Sequence, residues 1–288
     1  MNGWIFPRRK PRDLTVVVCT YQRPRHLRRG LLSLAVQRGL PQAFEVVVSD
    51  DGSQDETADV VADFARIVDF PVAWTTHPHT GYHVSRTRND GVRLARGNYL
   101  VLLDGDCIVP HDHLARQLEF RRPGTVAIGD CCRLDEVASQ RVTDDAVVSG
   151  EYQQWAPAAD RARLWTRHRR AWWYNLIRHP RKPVLIGNNV GLWHADYARV
   201  NGYDENYRGW GCEDDDFGRR LRWAGCRLRS ILGRTWAYHL WHPPDPTMPS
   251  RWREGANVKY YLARQRMPWC EQGLCRSSVP PSAQRGAA

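Results

Sequence analysis

Four short apolar runs, separated by amphipathic stretches of helical period, fill the first hundred residues and leave few folds open. Residues 14–20 (LTVVVCT), 44–49 (FEVVVS), 72–76 and 99–103 read as strands, and residues 25–37, 57–67 and 84–95 read as helices. In the first helix Leu27, Leu31, Leu34 and Ala35 share a face. Strands that are apolar at nearly every position are buried on both faces. Their alternation with helices over short connections calls for an α/β fold, with a mostly parallel central sheet flanked by helices. Ligands of such sheets bind beyond the carboxyl ends of the strands. Thr20, Asp50, Asp51, Asp104 and Asp106 all fall at those ends.

Two acidic motifs point to chemistry. Asp104-Gly105-Asp106 follows a buried strand, where carboxylates are costly unless something positive meets them. A divalent cation carrying a nucleotide diphosphate does so. Residues 209–217 (GWGCEDDDF) set four consecutive acids at the start of a helix. Phe217, Leu221 and Ala224 mark its apolar face, and Gly225 is its stop signal. The helix macrodipole tolerates acids there. The glycines around Trp210 let the backbone turn tightly and approach a ligand. A solvated N-terminal cap is the alternative reading, and the upstream acidic motif argues against it. His239 and His242 lie among Trp236, Tyr238 and Trp241, as members of an aromatic cluster or as metal ligands; the acidic motif favours ligands. Asp144 and Asp145 read as a loop, and Gly187-Asn188-Asn189 as a close approach.

The charge balance, 42 Lys and Arg against 31 Asp and Glu, gives +11 and implies anionic partners. Residues 133–183 contribute 10 − 6 = +4 of that excess, and there arginines alternate with Trp155, Trp165, Trp172 and Trp173. That mixture suits peripheral association with a membrane or a nucleic-acid surface; a basic helix whose tryptophans pack on the core is the other reading. No apolar run approaches the roughly 18–20 residues that cross a bilayer, and no signal peptide is recognisable. The expected location is cytoplasmic, with peripheral association at the inner face of the membrane. The eight cysteines have no repeating spacing and read as reduced thiols. A tail over 269–288, rich in Ser, Pro, Gln, Arg and Ala from about 276, is expected to be disordered.

Val18-Cys19-Thr20-Tyr21 with Arg23-Pro24, Asp50-Asp51-Gly52-Ser53, Arg88-Asn89, Gly97-Asn98-Tyr99 and Asp104-Gly105-Asp106 together resemble an inverting family 2 glycosyltransferase of GT-A (Rossmann-like) fold. Asn201-Gly202-Tyr203-Asp204, the 209–217 signature and the stretch from His239 to His242 resemble the galactosyltransferase-type module of β-1,4-galactosyltransferases and chondroitin-type polymerases. The resemblance covers about residues 14–245. It implies one domain with a C-terminal acceptor-binding subdomain: a basic segment (1–13), a nucleotide-sugar half (14–132), a basic Trp-rich insertion (133–183), an acceptor and catalytic half (184–268) and the tail.

Site residues follow by resemblance. Asp51, with Asp50 as the alternative, corresponds to the uracil-binding acid, and Thr20 and Tyr21 line the uridine beside Arg23. Arg88 faces the diphosphate or the donor sugar. Asp104, next to Gly105, contacts ribose or the metal, and Asp106 is a direct metal ligand. His239 and His242 match two downstream metal positions, although the animal enzymes place methionine where His239 stands. Asp214 matches the catalytic base and Glu213 its acceptor-positioning neighbour, with Trp210 and Gly211 beside the acceptor sugar. The implied partners are a UDP-sugar, a saccharide or lipid-linked acceptor, and Mn2+ or Mg2+. A nucleotidyltransferase of related sheet stays open as an alternative, as does a basic nucleic-acid-binding protein, which leaves the acidic cluster without a purpose.

Overall fold

The computed structural model describes residues 3–4, 13–41 and 43–275. Most of the basic segment 1–13, and the tail beyond residue 275, lie outside the described residues. In chain order the elements begin with β1 (Gly3–Trp4), β2 (Leu14–Thr20), α1 (Pro24–Ala35), β3 (Phe44–Asp50), α2 (Thr57–Ile67), β4 (Val72–Thr76), α3 (Val84–Leu94) and β5 (Tyr99–Asp104). Next come β6 (Cys107–Ile108), α4 (His113–Leu118), β7 (Thr125–Ile128), β8 (Cys131–Arg133), α5 (Glu136–Arg141), α6 (Asp144–Ser149) and α7 (Ala158–Leu176). The chain continues through β9 (Asn189–Trp193), α8 (His194–Arg199), α9 (Glu213–Trp223), β10 (Arg227–Ser230), β11 (Ala237–His239) and α10 (Val258–Ala263).

Eight strands form the main sheet in the order β1-β4-β3-β2-β5-β9-β7-β10. The pairs β3–β4, β2–β3, β2–β5 and β7–β10 are parallel, and β9 runs antiparallel between β5 and β7. β2 is buried at all seven positions, as a central strand must be. Its side chains divide by the two-residue period of a strand. Val16 and Val18 join Leu27, Leu31 and Leu34 of α1 and Phe64 of α2. Val17 and Cys19 turn to the other face, with Val92 of α3 and Phe217 and Leu221 of α9. The parallel register sets Thr20 beside Asp50 and Cys19 beside Asp104, so the chemistry-bearing ends share one edge.

A second sheet, β6-β11-β8, stands at that edge. Residues 133–183 pack on it with a core of their own, in which Val142, Val147, Tyr152 and Leu164 meet Ile108, Cys132 and Tyr238. Asp144 and Asp145 occupy the first turn of α6, not a loop. Thr143 caps that helix, and Arg28 clamps Asp144 at 2.7 Å. The disordered tail also needs correction over residues 269–275. Asn201 donates its amide to the Cys270 and Cys275 carbonyls at 2.7 Å each, the Glu205 amide donates to the Gln272 carbonyl at 2.7 Å, and Cys270 is buried. These fixed backbone partners outweigh the polar composition. All eight cysteines are free thiols. Among the described residues no helix is long and apolar enough to cross a membrane.

Candidate active site

The metal-ligand candidates meet because two very short strands pair. β6 begins one residue after Asp106 and β11 ends at His239, with His239 opposite Cys107 in antiparallel register. The Leu240 amide then donates to the Asp106 carbonyl at 2.9 Å, which delivers His242 two residues on. His242 Nε2 lies 3.1 Å from Asp106 Oδ2, and His239 Nε2 lies 3.7 Å from Asp106 Oδ1. One ligand atom from each of the three falls within 4.8 Å of the others. One carboxylate and two imidazoles, open to a cavity, fit a divalent cation of the manganese or magnesium type, with room for phosphate oxygens and water. Burial works to raise the Asp106 carboxyl, but His242 and His239 hold it below the usual carboxylate range. Burial lowers His239, whereas the Asp106 hydrogen bond raises His242 against burial. Arg23 approaches the same carboxylate at 3.7 Å.

A second cluster stands beside the first. Arg88 of α3, almost wholly buried, reaches Asp104 Oδ1 at 3.2 Å and Asp214 Oδ1 at 2.8 Å. Asp214 Oδ1 also accepts from the Tyr203 hydroxyl at 3.1 Å, and its Oδ2 accepts from the Gly187 amide at 2.7 Å. Gly187 precedes β9, whose antiparallel register with β5 sets Asn189 opposite Leu103. A side chain there has no room, because a Cβ at Gly187 would lie 2.3 Å from Asp214 Oδ1. Burial pushes Asp104 up to about 6, against Arg88. Burial, followed by the Asp214 charge, pushes Glu213 up to about 8.

A cavity of about 540 Å³ joins these groups; Thr20, Tyr21, Asp51, Asp104, Asp106 and Trp210 are on its wall, as are Arg23, Gly105, His239 and His242. Asp214 is not a wall residue and joins the cavity through Arg88 and Asp104. Gly209, Gly211 and Cys212 all have left-handed backbone, at φ 74°, 100° and 72°, and this loop presents Trp210. Gly211 itself stays off the wall, with its carbonyl held by Asn257 at 2.9 Å. Asp50 also stays off the wall; its carboxylate is taken up by the amides of Gly52 and Ser53 and the Thr76 hydroxyl. Asp51 is the acid that faces the cavity.

Three groups at this site have no role assigned by the sequence reading, Tyr203 among them although it belongs to the Asn201–Asp204 motif. His77 Nε2 lies 2.9 Å from Asp51 Oδ1 and its Nδ1 lies 3.3 Å from Asp90 Oδ2. Burial lowers His77, but the two carboxylates win and push it up to about 9. His79 stacks on Tyr21 with ring centroids 4.2 Å apart. Tyr203 holds Asp214 and carries the Arg88 guanidinium over its ring at 4.8 Å. The signal available for the histidines was His77, His79 and His83 clustered after an apolar strand.

Known families agree with this geometry. The model described as glycosyl transferase family 2 matches residues 15–184. The chain belongs to that family. A second model, described as the N-terminal domain of galactosyltransferase, matches residues 174–243. Among curated relatives, a validoxylamine A glucosyltransferase of Streptomyces hygroscopicus subsp. limoneus is 30% identical over 246 residues, covering 80% of this chain and 52% of the relative. The chondroitin synthase of Escherichia coli is 26% identical, covering 89% of this chain and 38% of the synthase. This family 2 chain thus spans about half the length, or less, of these relatives. Among solved structures, S. aureus TarS has a TM-score of 0.54 at 17% identity, covering 80% of this chain and 37% of TarS. The mannosyltransferase PcManGT from Pyrobaculum calidifontis, in complex with GDP-Man and Mn2+, has a TM-score of 0.53 at 19% identity, covering 84% of this chain and 59% of PcManGT. These likenesses establish the GT-A fold.

Proposed function

We propose that this chain is an inverting, metal-dependent glycosyltransferase. It moves a hexosyl or N-acetylhexosaminyl group from a UDP-sugar to a saccharide or lipid-linked saccharide in surface-polysaccharide synthesis. One observation carries the reading: buried Arg88 ties Asp104 on the cavity wall to Asp214 on the first turn of α9. A truncated TarS has been solved with UDP-GlcNAc, which supports the choice of donor nucleotide. The chondroitin and hyaluronan synthases among the relatives support a polysaccharide product.

Asp51 and the Tyr21–His79 stack receive the nucleobase, and Asp104 receives ribose. Asp106, His239 and His242 would hold a divalent cation, which would supply Lewis acidity at the diphosphate leaving group. Arg88 orients Asp214 and adds positive charge beside the departing phosphates. Asp214, with both oxygens held, takes the proton from the acceptor hydroxyl as that oxygen attacks the anomeric carbon and the bond to the diphosphate breaks. Attack from the acceptor side, opposite the leaving group, inverts the centre. Trp210 offers the acceptor sugar an apolar platform, and Glu213, protonated at neutral pH, can donate a hydrogen bond to it. The reaction is placed in the cytoplasm, with the basic helix α7 at the inner face of the membrane.

Asp214→Asn tests this reading. UDP-sugar binding stays while transfer falls roughly 10²–10⁴-fold, the usual share of general-base catalysis. Normal turnover in that variant would remove Asp214 from its role. Release of pyrophosphate in place of UDP would make the enzyme a nucleotidyltransferase.

A further inference from the structure

The stretch from His77 to His83 holds Asp51 by both its backbone and its carboxylate. β4 runs parallel to β3 with Thr76 beside Asp50, so His77 emerges next to Asp51. His79 Nδ1 lies 2.9 Å from the Asp51 carbonyl oxygen, and the His83 amide donates to Asp51 Oδ2 at 3.1 Å. His77 Nε2 stands 2.9 Å from Asp51 Oδ1. The two segments touch backbone to backbone at Gly52, where a Cβ would lie 2.5 Å from the His77 carbonyl oxygen and 2.5 Å from the His79 nitrogen. Asp51 therefore has little freedom to turn.

His77 is the unusual member of this cradle. Its side chain is only 4% exposed and is not on the cavity wall, so it reaches a ligand through Asp51. Its other nitrogen, Nδ1, stands 3.3 Å from Asp90 Oδ2 on α3. Asp90 in turn is paired with Arg93 and stands 3.6 Å from Arg86. Burial and Arg86 lower His77, but Asp51 and Asp90 outweigh them, so the ring is a cation between two carboxylates at neutral pH. These are charge contacts: Asp51 Oδ1 and both ring nitrogens have no hydrogen-bond partner among the described residues. A buried charge row of this kind is weak evidence for a stability role, because well-packed apolar side chains of similar volume do as well. What the row achieves is to fix a carboxylate on the cavity wall and to place a cation behind it.

We propose that His77 is the positioning residue for Asp51 and that, through Asp51, it selects a donor nucleobase that offers a ring N–H. Uracil carries such a donor at N3, whereas cytosine carries a lone pair there. A carboxylate held in place accepts from the first and is left without a partner by the second. The proposal rests on the transferase reading, in which Asp51 receives the nucleobase, and names the residue behind that choice.

The test is calorimetry of the full chain with UDP and with CDP, each in the presence of manganese. The wild type is expected to prefer UDP by roughly 100-fold or more. His77→Leu weakens UDP binding by about tenfold or more and leaves CDP binding unchanged, so the preference collapses toward tenfold. His77→Gln, which keeps a donor without the charge, falls between the two. Asp90→Asn is the decisive companion, since Asp90 is not on the cavity wall and meets Asp51 only by way of His77. It lowers the UDP preference by about threefold, and it adds nothing in the His77→Leu background, as two residues acting in series require. In steady-state transfer the His77 variants raise the donor KM and leave kcat within threefold. An unchanged UDP preference in His77→Leu at unchanged melting temperature overturns the proposal. Should His77→Leu fail to fold, an unchanged preference in Asp90→Asn overturns it equally. Additive losses in the double variant also overturn it, because His77 would then not be the link. Equal binding of UDP and CDP by the wild type removes the proposal and leaves the transferase reading standing, whereas binding of neither removes both.

Discussion

Gly187→Ala is the sharpest probe of how Asp214 is positioned. Gly187 needs no left-handed backbone; its hydrogen atom is required for space. An added Cβ would lie 2.3 Å from Asp214 Oδ1 and 2.4 Å from Arg88 Nη2. Ordinary contact begins at 3.4 Å, so the carboxylate must retreat by 3.4 − 2.3 = 1.1 Å or the loop must move by as much. Arg88 cannot yield easily, since it is almost wholly buried and bound to both Asp104 and Asp214. The Gly187 amide that holds Asp214 Oδ2 at 2.7 Å moves with the loop. A displacement of about 1 Å at a catalytic group costs about 100-fold in rate, equivalent to about 2.7 kcal/mol of barrier. The nucleobase end of the cavity, at Tyr21 and Asp51, is built by the ends of β2 and β3, and the atoms nearest the added Cβ belong to Asp214 and Arg88 instead. The expected outcome is a kcat about 100-fold lower with UDP binding unchanged, measured by UDP release under saturating donor and by calorimetry with UDP. A kcat within threefold of wild type, in a variant of unchanged melting temperature, would refute the claim that Gly187 seats the base. Loss of UDP binding in parallel with kcat would show that the loop serves the donor instead.

Other outcomes follow from the same geometry. EDTA abolishes transfer and manganese restores it, while Asp106→Asn removes the manganese-dependent thermal shift seen with UDP. Asp216→Ala lowers stability by about 3–5 kcal/mol in urea unfolding, because it strands Arg220, Arg219 and Arg264, which lie 2.6, 3.2 and 3.1 Å from its carboxylate. Glu213 rises from 4.5 to about 8 in the fold. The unfolded chain thus releases this proton first, and Glu213 costs stability progressively as pH climbs from about 4.5 to 8. Glu213→Gln, followed by thermal melting from pH 5 to 8, flattens that decline.

The parallel half of the sheet was legible because a strand buried on both faces writes itself as an unbroken apolar run, and β2, α2 and β4 begin and end where the runs do. The closing of the site was not legible in the same way. It depends on β6, two residues long, pairing with β11, three residues long. Neither length can establish a period, so residue type and resemblance, not a strand pattern, connected Asp106 with His239 and His242. The charged helix start shows a subtler limit. Four adjacent acids look like one negative patch in a sequence, but a helix turns by about 100° per residue, so four neighbours must point four ways. Asp216 turns inward to three arginines and is part of the scaffold. Glu213 is buried, and its Oε2 has no hydrogen-bond partner among the described residues. Burial and the Asp214 charge raise Asp215, against Lys182. Asp214 alone meets Arg88, Tyr203 and the Gly187 amide. The rotation sends the four side chains to different partners, while the Asp214 charge still raises its neighbours Glu213 and Asp215. On the proposed reading the base of this motif is set by the direction of Asp214, which the Gly187 amide, two residues before β9, meets at 2.7 Å.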